Sequence, residues 1–106
     1  MTTFDDREQA FEKKYAHDEE MRFKAEARRD KLLGLWAAEL MGLEGEAADE
    51  YARSVVIADL EEPGDENVYR KVSADLEAKG VSTEGLRAKM NELLAEAKAQ
   101  IMSDRR

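Results

Sequence analysis

The chain has 106 residues, 40% of them charged, with a formal net charge of −8, one proline and no cysteine. That charge repels phosphate backbones and anionic lipid, which disfavours nonspecific nucleic-acid and membrane-surface binding, and the missing cysteine excludes a disulfide framework and a thiol metal site. Ala, Leu, Glu, Lys and Arg dominate, so the size and composition are those of one helical domain plus whatever segments fail to join its core.

The charge is unevenly spread. Residues 1–31 hold 9 acids and 8 bases (net −1), whereas residues 32–106 hold 16 acids and 9 bases (net −7). In chain order, residues 3–16 open with Thr3-x-x-Asp6, a weakened capping box, and carry Phe4, Phe11 and Tyr15 at i, i+7 and i+11, one narrow aromatic stripe on a charged helical rod. Within this stretch Glu8 and Glu12 repel at i,i+4, and no opposite-charge pair occurs before Lys14/Asp18. An isolated helix of that length is marginal in water. Residues 1–17 are therefore expected to be disordered or transiently helical when free.

Asp18, Glu19 and Glu20 form a second start signal, with Asp18/Arg22 and Glu20/Lys24 as favourable i,i+4 pairs. The first bundle helix is placed at about 18–41. Its end, Leu32 to Met41, is apolar on nearly every face, the pattern of a helix packed on several sides, and Gly42 stops it. Gly34 inside it is either a point of close approach or a tolerated glycine.

The next helix, about 46–62, carries Ala48, Tyr51, Ala52, Val55, Val56 and Leu60 on one side; Val55-Val56-Ile57 is β-branched, but no turn chemistry flanks it. After Pro63-Gly64, Asp65 can cap a helix of about 65–79 with the stripe Val68, Tyr69, Val72, Leu76. Past Gly80, a capping Ser82 or Thr83 opens a helix of about 83–102 with the stripe Leu86, Met90, Leu93, Leu94, Ala97, Ile101. The fold class is all-α: a four-helix bundle over residues 18–106 with a projecting N-terminal arm over 1–17. A helix running from 4 to 41 would be about 57 Å long, roughly twice the height of a bundle of 18-residue helices.

The chemistry is that of a non-enzyme. The one histidine, His17, stands beside the arm, and Ser54, Ser73, Ser82 and Ser103 have no base near them in sequence. Scattered acids lack metal-ligand spacing, and no glycine-rich phosphate loop follows a strand; no metal is assigned and no cofactor is required. His17 would titrate near neutrality at the arm's junction, although an exposed histidine near a cap is the simpler reading. Lys24, Arg28, Arg29 and Lys31 form a basic group on the stem leading to Trp36. A solvated helix face is the ordinary explanation, and a phosphate and adenine site the functional one. The stripe of Phe4, Phe11 and Tyr15 is too far from the core to join it and reads as a docking surface for a groove on a larger protein.

Met1-Thr2-Thr3-Phe4-Asp5-Asp6-Arg7-Glu8, Tyr15-Ala16-His17-Asp18 and Phe23-Lys24-Ala25-Glu26-Ala27-Arg28-Arg29, running on to Leu32-Leu33-Gly34-Leu35-Trp36-Ala37-Ala38-Glu39-Leu40, resemble the ATP synthase zeta subunit of alphaproteobacteria. The likeness extends along the chain, through Arg87-Ala88-Lys89-Met90 and Glu92-Leu93-Leu94, and is most specific over residues 1–42. It implies a four-helix bundle whose arm inserts at a catalytic interface between the α and β subunits of the F1 motor, with γ as a further contact, and blocks ATP hydrolysis at the inner face of the plasma membrane. The partner-binding residues would then be Phe4, Asp5, Asp6, Arg7, Glu8, Phe11, Lys14 and Tyr15. It also implies ADP or ATP as a regulatory ligand of the bundle. Lys24, Arg28, Arg29 and Trp36 are our candidates for that site, which the resemblance does not itself identify. Without the resemblance, the pattern alone fits equally a helical adaptor or nucleotide-sensing module whose arm binds another protein. No signal peptide and no apolar span are found, and the expected location is cytoplasmic.

Overall fold

The computed structural model describes the backbone of residues 3–104 and the side chains of residues 19–103. Four helices follow one another: α1 (Thr3–Leu40), α2 (Gly45–Glu61), α3 (Asp65–Ala78) and α4 (Leu86–Asp104). There is no strand among the described residues.

α1 is a single helix of 38 residues, about 57 Å long, whereas α2, α3 and α4 have 17, 14 and 19 residues and are about 21–29 Å long. Its N-terminal half therefore outruns its partners, and the molecule measures 64 × 27 × 22 Å. Phe4, Asp5, Asp6, Arg7, Glu8, Phe11, Lys14, Tyr15 and His17 lie outside the residues with described side chains.

The apolar stripes meet in one core. Leu33 and Ala37 of α1, Val55 of α2, Val68, Val72 and Leu76 of α3, and Leu86, Met90 and Leu93 of α4 are buried together, with Leu32, Trp36, Tyr51 and Tyr69 packed at its edge. Further along, Ala25 of α1 and Ala97 and Ile101 of α4 are also buried. The C-terminal third of α1 is the central element, packed chiefly on α2 and α4 and less on α3. Its multi-sided apolar sequence reflects that position.

Gly34 is a point of close approach: a Cβ built there would lie 2.5 Å from the Ala52 Cα of α2, so the two backbones touch where only hydrogen fits. Gly42, at φ 79°, ends α1. The Leu43 N–H donates to the Ala38 carbonyl at 2.8 Å and the Gly42 N–H to the Glu39 carbonyl at 3.1 Å, the closing pair of bonds that a left-handed residue permits. Equivalent bonds from Val81 and Gly80 close α3.

Three details differ from expectation. α4 starts at Leu86 rather than 83, because Thr83 to Gly85 form a turn and the Ser82 Oγ accepts the Glu84 N–H at 3.1 Å instead of capping a longer helix. Asp65 is the first residue of α3 and not its cap; Gly64 precedes it and makes no side-chain cap bond. On α2 only Ala52 and Val55 are fully buried, and Leu60 remains 56% exposed.

Candidate functional site

The stem of α1, from Arg22 to Lys31, carries two contrasting surfaces on either side of Phe23, which is 59% exposed. Lys24, Arg28 and Lys31 follow at i, i+4 and i+7 and so share one helix face. They line a groove of about 690 Å³ with Phe23, Ala27, Val56 and Ile101, a size typical of small-ligand clefts. Arg28 Nη1 reaches Gln100 Oε1 of α4 at 3.5 Å, and Lys24 pairs with Glu20 at 3.1 Å. The groove is basic, open and walled by apolar side chains.

The neighbouring face is acidic. Phe23, Glu26, Ala27 and Asp30 of α1, Val56, Asp59 and Leu60 of α2, and Pro63 line a narrower slot of about 160 Å³. Beneath it Arg29 is 2% and Asp30 1% exposed. Arg29 Nε donates to Asp30 Oδ1 at 2.8 Å and Nη2 to Asp65 Oδ1 of α3 at 3.0 Å, with Asp59 Oδ2 3.9 Å away. One guanidinium thus ties α1 to the corner where α2 turns into α3, and the Gly64 N–H at that corner donates to Asp59 Oδ1 at 3.2 Å. Burial weighs against the Arg29 charge, but Asp30 and Asp65 hold it, and the net effect raises its pKa. Burial, reinforced by a hydrogen bond with Asp59 and opposed by Arg29, pushes Asp30 up to about 8.

The structure brings Lys24 and Arg28 together but sends Arg29 and Trp36 elsewhere. Arg29 falls on the buried stripe of Ala25 and Leu33, at i−4 and i+4, where its guanidinium is spent on aspartates. Trp36 packs half-buried against the core, with Lys89 Nζ 5.6 Å from its ring centroid. Phe23 and Lys31 instead complete the basic groove. Spacing alone could have sorted these residues, since Lys31 shares a face with Lys24 and Arg28, and Arg29 shares one with Leu33. Nothing in the sequence marks Asp59 and Asp65 as its partners, because they are 30 and 36 positions away.

The far side of the bundle is pinned by polar contacts at its rim. Tyr51 Oη donates to Asp75 Oδ2 at 2.9 Å, next to Lys71 at 3.0 Å, and burial together with that carboxylate raises the Tyr51 pKa. Arg87 Nη2 meets Glu66 at 2.8 Å while the guanidinium lies 3.9 Å from the Tyr69 ring centroid, joining α4 to α3. No group of three His, Cys, Asp or Glu among the described residues is arranged to hold a metal ion, and no described helix is long and apolar enough to cross a membrane.

A four-helix bundle with one overlong, highly charged first helix is an all-α scaffold that offers helix surfaces and grooves to a partner. The chain belongs to the ATPase inhibitor subunit zeta family, whose sequence model matches residues 1–100. It is also similar to a protein solved by solution NMR, 54% identical, over 79% of this chain and 98% of that one, with a TM-score of 0.70. No curated protein matches it. The family is one of inhibitory subunits, so the chain is read as a regulatory protein associated with the F1 part of ATP synthase.

Proposed function

We propose that the protein inhibits ATP hydrolysis by F1-ATPase, inserting its N-terminal helix at a catalytic interface between α and β subunits, with γ within reach. The observation that carries this reading is the length of α1. It supplies about 33 Å of helix between Thr3 and Ala25, the first buried side chain among those described. The aromatic positions Phe4, Phe11 and Tyr15 recur at helical spacing there, as a helix-in-groove contact needs. Asp5, Asp6, Arg7, Glu8 and Lys14 supply the charges around that stripe. The partner-free arm gains its order from the groove, and the protein acts at the cytoplasmic face, on the F1 sector.

ADP or ATP is a regulatory ligand in this reading. Its phosphates lie over Lys24, Arg28 and Lys31, and the exposed Phe23 ring offers the base a stacking face, a role for which Trp36 is too deeply packed. ADP titration followed by NMR should move the signals of Phe23, Lys24 and Lys31, and Lys24→Ala with Lys31→Ala should abolish those shifts.

The decisive experiment is ATP hydrolysis by isolated F1 titrated with the full chain and with Ala10→Pro. The parent should inhibit. Ala10→Pro, which removes almost no side chain but breaks the helix, should inhibit at least tenfold more weakly. Equal inhibition by the two would mean that the arm binds extended, and no inhibition by the parent would end the proposal.

A further inference from the structure

The acidic slot holds a charge imbalance that geometry alone reveals. Asp30 of α1, Asp59 of α2 and Asp65 of α3 surround the single guanidinium of Arg29; Glu26 also lines the slot but pairs with Arg22 at 3.4 Å, and α4 adds no charged group to the slot among the described residues. Asp65 is 65% exposed and can rely on water, but Asp59 is 14% exposed and Asp30 only 1%. Asp30 Oδ1 accepts from Arg29, whereas Oδ2 is fully buried with no donor facing it. A buried ionised carboxylate with one unmatched oxygen is costly. If Asp30 carries a proton, however, the same oxygen becomes a donor and the facing Asp59 carboxylate its acceptor.

We propose that Asp30 and Asp59 form a one-proton latch between α1 and the α2–α3 corner, closed when they share a proton and loosened when both are ionised. At 1% and 14% exposure Asp30 and Asp59 are little screened by water, which is the situation in which two adjacent carboxyls cannot both ionise cheaply. The rise of Asp30 to about 8, caused first by burial and then by Asp59, agrees with this arrangement.

The sign follows from linkage. The closed form binds a proton that the open or unfolded carboxyl, near its ordinary value of 3.8, has already lost. Closure is therefore fully favoured at low pH, weakens as pH rises towards 8, and changes no further above it. The latch belongs to the bundle and stands independently of what the arm binds. Its placement beside Arg29 means that alkalinisation relaxes the anchor from which the long half of α1 extends.

The test uses the full chain. Side-chain carboxyl 13C NMR from pH 4 to 10 should find Asp30 titrating more than about two units above an ordinary aspartate. Asp30→Asn mimics the protonated state, with its amide NH2 donating to Asp59 and its oxygen accepting from Arg29. The unfolding equilibrium constant of the parent, measured in urea and divided by that of Asp30→Asn, should rise by up to about tenfold per pH unit from roughly pH 5 to 8 and then level. In Asp59→Asn the amide satisfies an ionised Asp30, and its titration should return towards the ordinary range. A parent Asp30 that titrates near 4, or a ratio that stays constant with pH, would overturn the latch; the NMR titration of the parent decides even where a variant fails to fold.

Discussion

Lys24 and Arg29 are five residues apart on one helix, carry the same charge, and live in opposite worlds. Lys24 stands in solvent, its side chain 58% exposed and paired with an equally exposed Glu20; Arg29 is sealed under two helices against three aspartates. On the described exposed side of α1 the charges form i,i+4 pairs such as Glu20–Lys24 and Arg22–Glu26, whereas Arg29 is held by the bundle. The difference teaches that charge in this chain has two jobs: on the exposed stem of α1 it faces solvent in helix-surface pairs, and at Arg29 it locks the helix to the fold.

Four experiments break or sharpen that comparison. Deleting residues 1–17 should abolish inhibition of F1 while the midpoint of urea unfolding stays within error of the parent, because buried side chains begin only at Ala25 among those described; retained inhibition would show that the bundle itself is the inhibitor. Arg29→Ala should destabilise the bundle at neutral pH by about 3–5 kcal/mol in urea unfolding, since it leaves a buried carboxyl without its cation. That loss should grow as pH rises through about 8, where Asp30 ionises and draws on the guanidinium most.

Gly34→Ala should cost about 1–3 kcal/mol, overpacking against Ala52 outweighing the better helix propensity of alanine; a neutral or stabilising result would mean that α1 and α2 can separate at no cost. Last, Lys24→Ala should change stability by no more than about 0.5 kcal/mol, and less still in high salt, as exposed helix pairs do. A loss comparable to that of Arg29→Ala would erase the distinction between stem and anchor.

Periodicity made the architecture readable. The stripe from Leu86 to Ile101 and the stripe from Val68 to Leu76 are the core faces of α4 and α3, and the many-sided run from Leu32 to Met41 is the centre of the bundle. α2 was harder to read, because Leu60 satisfies the pattern yet ends beyond the reach of the core, beside the acidic slot. Within the candidate site, Lys24 and Arg28 were legible as a basic face. Arg29 was grouped with them by chemical type although its position assigns it to the Ala25–Leu33 stripe, and a buried arginine betrays itself only through acids that are distant in sequence. The start of α4 was misplaced for a local reason: Ser82 has capping chemistry but applies it to the turn that precedes the helix.

The length of α1 has a mechanical meaning as well. With its fixed end near Ala25 and about 33 Å of helix beyond, the helix once ordered against a partner is a lever, and a tilt of only about 10° at the fulcrum moves its far end by roughly 6 Å. The cost of that reach is leverage in the opposite direction: a force applied to the tip is multiplied at the Arg29 contacts and at the Gly34–Ala52 touching point, which makes those two places the hinge pins of the molecule.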